Sequence, residues 1–380
     1  MMITMPRSRS TWPVVLLLCF VPSGQRFLIG TIDFPFLRLL MLVAWTRMFV
    51  RGEVRPLVWN RLDRMLVVYA AVSIATGTLQ GGTLTIFINR CGAALDGLAI
   101  YFFFRNRIRG LDDLAAIGRQ FLWCSFAVLG FMLYEQQTTQ NLFGIFGGVP
   151  EITDIRDGRL RCQGAFAHPI LAGCFYAALL PLYAVLGLQT RRWRLPIVGG
   201  AAAIAITFLT ASSTPIVALL VAVVGAAVWP VRPALRYVRW LTLGGLMAMH
   251  VLMKQPVWHL LSRVDVAGGS TGWHRYHLVD KFIENWREWW LLGTPHTGHW
   301  GPGLQDVTNQ YVAEGVSGGV LRMVMFVLLI VVAFQGVSRA LRMPGQPRSR
   351  AMGCWALGVA LFVHCMNYIG VSYFEQITAL

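Results

Sequence analysis

Long apolar runs are the feature that most constrains the fold of this chain. They recur from residue 12 to residue 370, separated by short basic or polar segments. A helix that crosses a bilayer needs about twenty mostly apolar residues, because its backbone amides must be hydrogen-bonded within the helix. The pattern predicts an all-α polytopic membrane protein with a single domain over residues 1–380. Eleven spans are predicted, near residues 12–30, 33–50, 64–81, 85–104, 114–134, 165–188, 195–211, 214–230, 236–253, 319–338 and 351–370.

The composition agrees with a membrane protein and argues against other classes. Hydrophobic residues make up 56% of the chain and charged residues 13%, well below the charged fraction of a typical soluble domain. The formal net charge of +16 would also suit a nucleic-acid-binding protein, but the basic residues stand in short clusters between apolar runs. The seven cysteines have neither disulfide-framework nor metal-site spacing. We therefore expect no nucleic-acid partner, no bound metal and no cofactor.

Basic residues near the span ends predict how the chain is oriented. Of the 33 Lys and Arg residues, 21 fall on a single face when the predicted spans alternate. Positively charged loops are typical of the cytoplasmic side, so we predict a cytoplasmic N-terminus. Two polar segments, 135–164 and 254–318, then form outer loops on the opposite face.

The end of the first outer segment has the chemistry of a phosphate site. Arg159 and Arg161 stand two residues apart, shortly before Gly164 and a predicted helix start at Pro169. Guanidinium groups bind phosphate oxygens through paired hydrogen bonds, and a helix N-terminus adds partial positive charge. The alternative is that both arginines face lipid headgroups and that His168 only caps the helix. The sequence leaves both interpretations open.

The second outer segment contains an amphipathic pattern preceded by a further arginine, Arg275. Between His277 and Leu292 the apolar side chains fall on one helical face: Leu278, Phe282, Trp286, Trp289 and Trp290. This pattern predicts a helix in the outer membrane interface, with tryptophans at headgroup depth. A structural lid without chemistry is the alternative for this helix.

Several other side chains in this segment are candidates for chemistry. Asp306 and Glu314 are the carboxylates placed to act as a general base at the membrane edge, and helix capping is the alternative role for each. His296 and His299, three residues apart, could ligate a metal, although no carboxylate with matching spacing accompanies them.

Among the charged residues inside predicted spans, we single out Arg38, Arg90, Asp96 and Arg322. An unpaired charge in the bilayer costs several kcal/mol, so such residues are expected to be paired or functional. Arg90 and Asp96 are nearly two turns apart on one helix, and we therefore expect their partners on other helices.

These segments together resemble the O-antigen ligase and polymerase superfamily, the membrane glycosyltransferases of bacterial surface polysaccharides. In that family, an arginine followed by Gly-x-Phe-x-x-Pro leads into a central span. Arg161 and the run from Gly164 to Pro169 are similar to this pattern, and Ala172, Gly173 and Leu180-Pro181 follow. Residues 208–213 are similar to the family's Leu-Thr-x-Ser-Arg-Gly segment. Arg275, eighteen residues before Gly293, has the spacing of the family's outer-loop Arg and following Gly. The run Thr308-Asn309-Gln310-Tyr311 stands where the family has His-Asn-x-x-Leu.

The chain departs from the family pattern at two positions. Ser213 or Thr214 replaces the arginine of the Ser-Arg-Gly segment, and Thr308 replaces the outer-loop histidine that is often assigned as catalytic. Catalysis would then fall to another group or proceed differently. The candidates are Asp306, Glu314, His299 and Asn309, with His296 as a further histidine.

The resemblance implies a GT-C-like fold with a large periplasmic loop and a metal-independent, inverting glycosyltransferase in the bacterial inner membrane. The expected donor is an undecaprenyl-diphosphate-linked glycan, held by Arg159, Arg161 and Arg275, and the acceptor is a glycan or lipid. Membrane lipids and other polysaccharide-export proteins are further candidate partners. The product would be an exopolysaccharide or O-antigen. The alternatives are a glycan transporter or lipid flippase, and a non-catalytic member of an export complex.

Overall fold

A computed structural model describes residues 5–29, 32–263, 272–374 and 377–378, and the chain in these ranges is mostly helical. The helices are α1 (Trp12–Phe20), α2 (Phe36–Val50), α3 (Arg61–Gly81), α4 (Leu84–Arg107), α5 (Leu111–Thr138), α6 (Pro169–Thr190), α7 (Arg194–Leu209), α8 (Ser213–Ala227), α9 (Leu235–Leu252), α10 (Gly272–Glu284), α11 (Trp286–Trp289), α12 (Gln310–Leu341) and α13 (Arg348–Gly370). Two antiparallel hairpins join β1 (Arg26–Ile29) to β2 (Ile32–Pro35) and β3 (Ile155–Arg156) to β4 (Arg159–Leu160). Part of the predicted outer loop, residues 264–271, lies outside the described ranges.

Six of the described helices are long and apolar enough to cross a membrane: α3, α4, α5, α6, α12 and α13. Helix α8 and the segment Trp229–Leu252 together are also long and apolar enough to cross a membrane, but they meet at an angle of 83°. They add a seventh span if this bent pair counts as one broken span. Helix α7 is apolar but has only 16 residues. The chain is therefore an all-α protein with several helices able to cross a membrane. The predicted count of eleven is not reached in the described ranges.

The first predicted span, residues 12–30, is wrong over its described part. Helix α1 ends at Phe20 after nine residues, and residues 26–29 pair with residues 32–35 as two antiparallel strands instead of continuing the helix. Nine residues rise only about 14 Å, roughly half of a bilayer core. The chain turns at Gly24, where a Cβ would stand 2.6 Å from the carbonyl oxygen of Gly148. Apolar composition alone did not distinguish this short buried helix from a span.

Helix α6 is the centre of the bundle and packs against α5, α7, α8 and α13. Its start lies close to the start of α8, because Gly173 has no side chain to separate them. A Cβ at Gly173 would stand 2.6 Å from Pro215 and 2.7 Å from the hydroxyl of Thr210. This close approach brings the α8 N-terminus beside the residues that precede α6.

The two ends of the bundle differ in character. One end holds the segments 139–168, 253–263 and 272–309, and there Asn309 Nδ2 donates to Ile369 O at 3.1 Å, joining the start of α12 to the end of α13. We call it the loop end, and the described parts of both predicted outer loops lie there. At the opposite end, the basic end, Glu53 accepts from Arg47 at 3.0 Å and from Arg107 at 2.6 Å.

Helix α12 is broken at Gly318 and Gly319, where the predicted tenth span begins. Gly319 has a φ of +73°, and a Cβ there would stand 2.3 Å from Leu291 O. The break receives the end of the large loop: Thr294 N donates to Val316 O at 2.8 Å and Val320 N donates to Trp290 O at 2.9 Å. The loop is thereby anchored in a membrane-length helix.

The predicted amphipathic helix over residues 277–292 is divided, which corrects the sequence interpretation. Helix α10 ends at Glu284, and α11 follows after Asn285. The inward-facing residues form a core within the loop: Leu278, Phe282, Trp289, Trp300, Leu304 and Val312. Trp286 and Trp290 remain about half exposed. The apolar face of α10 thus covers the core of the loop itself.

Candidate functional site

Arg161 is buried at the loop end, in the chain that leaves the second hairpin. The hairpin turns through Asp157 and Gly158, which both have positive φ, and returns the chain so that Arg161 N donates to Asp154 O at 3.0 Å. The side chain is 6% exposed. Its Nη2 donates to Ser212 Oγ at 3.1 Å, and its Nη1 lies 3.4 Å from the exposed carboxylate of Asp154. The buried Nε has no hydrogen-bond partner among the described residues.

Arg275 approaches the same place from the large loop. It lies in the first turn of α10, is 7% exposed, and donates from Nη2 to Thr214 Oγ1 at 2.8 Å. Ser212 precedes α8 and Thr214 is its second residue. The two arginines therefore contact hydroxyl groups two residues apart at one helix N-terminus. We call Arg161, Arg275, Ser212 and Thr214 the arginine site.

The hydroxyl groups of the arginine site occupy the segment that departs from the family pattern. Ser212 Oγ donates to Thr210 O at 2.9 Å, so its oxygen is oriented to accept from Arg161. Thr214 is held against Gly370 of α13, where a Cβ would stand 2.7 Å from Thr214 Oγ1. The sequence identified Ser213 and Thr214 only as residues that stand in place of an arginine, in the segment 208–213 that also contains Ser212. The role of Ser212 and Thr214 in orienting two arginines from distant segments could not be inferred from it.

Glu135, at the end of α5, fixes the chain just after Arg161. Its carboxylate is 1% exposed and accepts from Gln163 N and Gly164 N at 3.0 Å each, and from Thr153 Oγ1 at 2.8 Å. Sequence reasoning missed this residue because it stood at a predicted loop boundary. A single carboxylate ending a long apolar helix was the available signal.

His168 and Asp306 lie at the rim of the arginine site. His168 caps α6 by accepting from Ile170 N at Nδ1, at 3.2 Å, which confirms the capping interpretation. Burial and the positive charge of Arg161 lower the pKa of His168, and the negative charge of Asp306 acts against this shift. The neutral ring, accepting at Nδ1, carries its proton on Nε2 and can act there as a hydrogen-bond donor.

Asp306 is exposed and is tied to the start of α10. Its backbone oxygen accepts from His274 Nε2 at 3.2 Å, and His274 directly precedes Arg275. The contact leaves the Asp306 carboxylate exposed and within electrostatic reach of His168. Of the two predicted carboxylates, Asp306 therefore has the exposure that a general base needs.

Glu314, the other predicted base, is committed elsewhere. It is 2% exposed, lies 2.7 Å from Arg322 Nε, and accepts from Tyr69 OH at 2.8 Å and from Gln310 Nε2 at 2.7 Å. These contacts join α12 to α3. A carboxylate with an ion pair and two further donors serves packing between helices better than proton transfer.

The remaining predicted site residues have other surroundings. His299 lies 2.7 Å from Glu288, which also accepts from Trp300 Nε1 at 2.9 Å. Asn309 caps α12 through Val312 N at 3.2 Å. Arg159 is exposed on the hairpin, opposite Arg156 in the β3–β4 register. No group of three or more His, Cys, Asp or Glu that could hold a metal occurs in the described part of the chain.

Three of the four charges singled out inside predicted spans form ion pairs, and one of these pairs joins two helices. Arg38 on α2 forms a paired contact with Asp96 on α4, at 2.8 Å from Nε and 2.7 Å from Nη2. Arg322 pairs with Glu314, eight residues earlier in the same broken helix. The expectation of interhelical pairing is confirmed for Asp96, while Arg90 has different surroundings, described below.

The geometry at the loop end brings together groups with the chemistry to bind an anion. Two buried guanidinium groups, two hydroxyl groups and the N-terminus of a 15-residue helix all meet there. No protein-family model matches the chain, and neither does any of the curated proteins. A functional assignment therefore rests on these residues and their contacts.

Proposed function

We propose that the chain is a membrane glycosyltransferase that polymerises or ligates lipid-linked oligosaccharides, with undecaprenyl diphosphate as the leaving group. The convergence of Arg161 and Arg275 on the start of α8 carries this proposal. Two guanidinium forks and a helix N-terminus match two phosphate groups in charge and hydrogen-bonding capacity. In this proposal the loop end faces the periplasm of a bacterial inner membrane and the basic end faces the cytoplasm.

The chemical step is a single displacement at the anomeric carbon of the donor. An acceptor hydroxyl oxygen forms the new bond to that carbon while the bond to the diphosphate oxygen breaks, which inverts the configuration. Asp306 takes the proton of the acceptor hydroxyl, and its exposed carboxylate then releases it to water. The acceptor is a second glycan in a polymerase and a lipid in a ligase.

The arginine site stabilises the negative charge that develops on the departing diphosphate. Preorganised donors of this kind contribute about 100-fold or more to a rate when they face the developing charge. His168 can add a further hydrogen bond to a phosphate oxygen from Nε2. Because two fixed cations supply the stabilisation, transfer is proposed to be independent of metal, and EDTA is expected to leave turnover unchanged.

One observation favours a second candidate, a transporter or flippase of lipid-linked glycans. Helix α12 is broken at Gly318 and Gly319, next to the buried pair of Arg322 and Glu314. Discontinuous helices with buried ionisable groups are typical of transporters. In that case the arginine site would bind the diphosphate without any bond being broken.

The proposal is tested by mass spectrometry of lipid-linked glycans and finished polysaccharide in a deletion strain. Transfer activity predicts that short glycans on undecaprenyl diphosphate accumulate and that long polymer disappears. Wild-type protein and Arg109→Ala, an exposed arginine at the basic end, should restore the polymer, whereas Arg161→Ala and Arg275→Ala should not. Wild-type polymer yield from both variants, at equal protein level in the membrane, contradicts the proposal.

A periplasmic glycosidase applied to spheroplasts of the deletion strain separates the two candidates. If the protein is a transferase, the accumulated glycans have already crossed the membrane and are digested. If it is a transporter, they remain on the cytoplasmic side and are protected. Protection would therefore replace the transferase with the flippase as the proposed function.

A further inference from the structure

A polar cavity separate from the arginine site lies at the loop end, between α3, α4 and the break in α12. Its volume is about 490 Å³. Its polar lining comes from Gln80, Asn89, Arg90, Thr294 and Ser317. The wall is fixed where Gln80 Nε2 and Thr294 N both donate to the carbonyl oxygen of Val316, at 3.0 and 2.8 Å. None of these residues belongs to the arginine site.

Among the described residues that line this cavity, Arg90 is the one cation, and its side chain is half-buried. The absence of a side chain at Gly77 makes room for it, because a Cβ there would stand 2.5 Å from Arg90 Nε. Every substitution at position 77 would therefore displace the guanidinium group. The packing of α3 against α4 thus places this arginine along the cavity wall.

The charges around Arg90 do not balance within the described ranges. Arg90 forms no ion pair there and is within electrostatic reach of Arg322 and Glu314. Arg322 takes the carboxylate of Glu314 at 2.7 Å. Two guanidinium groups thus share one carboxylate, and Tyr69 beside them contributes a neutral hydroxyl. One positive charge is therefore left without a counter-charge in the described ranges, and it can be balanced by an anion that enters the cavity.

The depth of Arg90 indicates where that group would come from. Arg90 stands six residues after the start of α4 at Leu84, about 9 Å along the helix axis. This is about a quarter of the length of the 24-residue helix, so an anion would reach Arg90 from the loop end. A half-buried charge without a counter-charge in an apolar helix is costly unless an anion accompanies it.

We propose that this cavity, the Arg90 cavity, binds one oxyanion group, a phosphate or carboxylate, carried by a lipid headgroup or by a glycan. The guanidinium fork of Arg90 holds two of its oxygens. The amide of Asn89 and the hydroxyl of Ser317 are further donors in the lining. A volume of about 490 Å³ suits a headgroup or one sugar residue. The site does not depend on glycosyl transfer.

Binding is tested on the full-length protein in a neutral detergent by thermal unfolding. The probes are inorganic phosphate, glucuronate, and mixed micelles containing phosphatidylglycerol or phosphatidylcholine. We expect at least one anionic probe to raise the Tm of the wild type more than phosphatidylcholine does. Arg90→Gln should weaken its binding about 10-fold, as expected for a lost charge-assisted pair. Arg109→Gln at the basic end is the matched control.

Further variants keep the test decisive if Arg90→Gln does not fold. Asn89→Asp changes an exposed side chain and adds a carboxylate beside Arg90, so it should also weaken anion binding about 10-fold. Arg90→Lys should retain part of the affinity. Unchanged binding in both Arg90→Gln and Asn89→Asp overturns the proposal, as does a wild type that responds equally to all four probes or to none.

The probes also identify the source of the oxyanion. Stabilisation by phosphatidylglycerol alone assigns the cavity to a lipid headgroup. Stabilisation by phosphate or glucuronate as well assigns it to a group that arrives from water, as part of a glycan. Both results support an oxyanion site, provided that the Arg90 and Asn89 variants weaken binding.

Discussion

The buried arginines at the two ends of the bundle are held in different ways. At the basic end, Arg47 and Arg107 place their Nη2 atoms on the carboxylate of Glu53, at 3.0 and 2.6 Å. At the loop end, Arg161 and Arg275 place theirs on the hydroxyl groups of a serine and a threonine, at 3.1 and 2.8 Å, and Arg161 also lies 3.4 Å from the exposed carboxylate of Asp154. A carboxylate that is mostly buried cancels the charge of a guanidinium group more fully than an exposed one does, and a hydroxyl group orients the guanidinium group without adding charge.

This difference separates a structural role from a binding role. Removing one member of a buried ion pair leaves the other charge without compensation, so the expected damage is to stability. Removing an arginine held by a hydroxyl group takes away a cation aimed at a ligand, so the expected damage is to activity. Five predictions can break or sharpen this comparison.

Glu53→Gln should have the largest effect, because it leaves Arg47 and Arg107 with a neutral partner in a buried position. We expect a loss of about 3 kcal/mol in the free energy of unfolding, within the range for broken buried pairs. Thermal unfolding in detergent measures it, and transfer per folded molecule should be unchanged. Glu284→Gln, at an exposed pair with Lys281, is the control and should change little. An unaltered Tm in Glu53→Gln would show that this end does not stabilise the fold.

The arginine site should behave as one unit. Arg161→Ala and Arg275→Ala should each reduce transfer about 100-fold or more, as expected when a donor to developing charge is lost. The double variant should be little worse than either single variant, because groups that act together are not additive. Polymer yield per membrane-inserted protein measures this. Independent, multiplying effects would indicate that the two arginines bind different groups.

Asp306→Asn should reduce transfer about 100-fold, because an amide cannot accept the acceptor proton. Asp154→Asn, beside Arg161 but proposed to have no part in proton transfer, is the control and should have a small effect. Glu314→Gln should lower stability but retain transfer per folded molecule, because its carboxylate is engaged by Arg322 and Tyr69. Loss of transfer in a stable Glu314→Gln protein would move the base to that residue.

Ser212→Ala and Thr214→Val should have intermediate effects. Each removes one acceptor that orients an arginine, and a single hydrogen bond to a charged group contributes about 1.5–3 kcal/mol. We expect transfer to fall about 10-fold with Tm nearly unchanged. Ser10→Ala, a buried hydroxyl bonded to Arg7 O near the basic end, is the matched control for transfer. Equal transfer in all three variants would separate the hydroxyl groups from the function.

His168 should give the smallest effect, seen in the pH dependence of stability. Its pKa lies below the ordinary value of 6.5 because of burial and Arg161, so at mildly acid pH the unfolded chain binds more protons. The contribution of the neutral ring is complete above that ordinary value and is lost as the pH falls toward the lowered pKa. Between about pH 7.5 and 5, the Tm should therefore fall less in His168→Asn than in the wild type. Asparagine keeps a capping side chain at this position. Parallel pH profiles would contradict this.

The helical class of the chain and most of its long apolar helices were readable from composition, since a span needs a length that few other structures require. The boundaries of α3, α4, α5 and α13 lie within a few residues of those predicted. The failures occurred where apolar residues served another purpose. Helix α1 is short and buried against α5, and the apolar face of α10 covers the core of the loop. Hydropathy measures burial from water and does not distinguish lipid from protein.

For the site, the sequence identified which residues have suitable chemistry but not which of them meet. Arg159 and Arg161 looked equivalent, yet the hairpin exposes one and buries the other. Asp306 and Glu314 looked equivalent, yet Arg322, eight residues further along α12, pairs with Glu314. The signal at Glu135, one carboxylate at the end of a long apolar helix, did not reveal its role, which is to accept from the backbone amides of residues 163 and 164.

The sequence by itself determined that this chain is helical and apolar enough for a membrane, and that its arginines fall into separate clusters. These properties follow from local composition, which acts on each segment independently. Only the tertiary structure decided that Arg161 and Arg275 meet at the start of α8 and that Arg90 lines a cavity. Such contacts depend on close helix packing at glycines such as Gly173 and Gly77, which bring together residues that are distant in the chain.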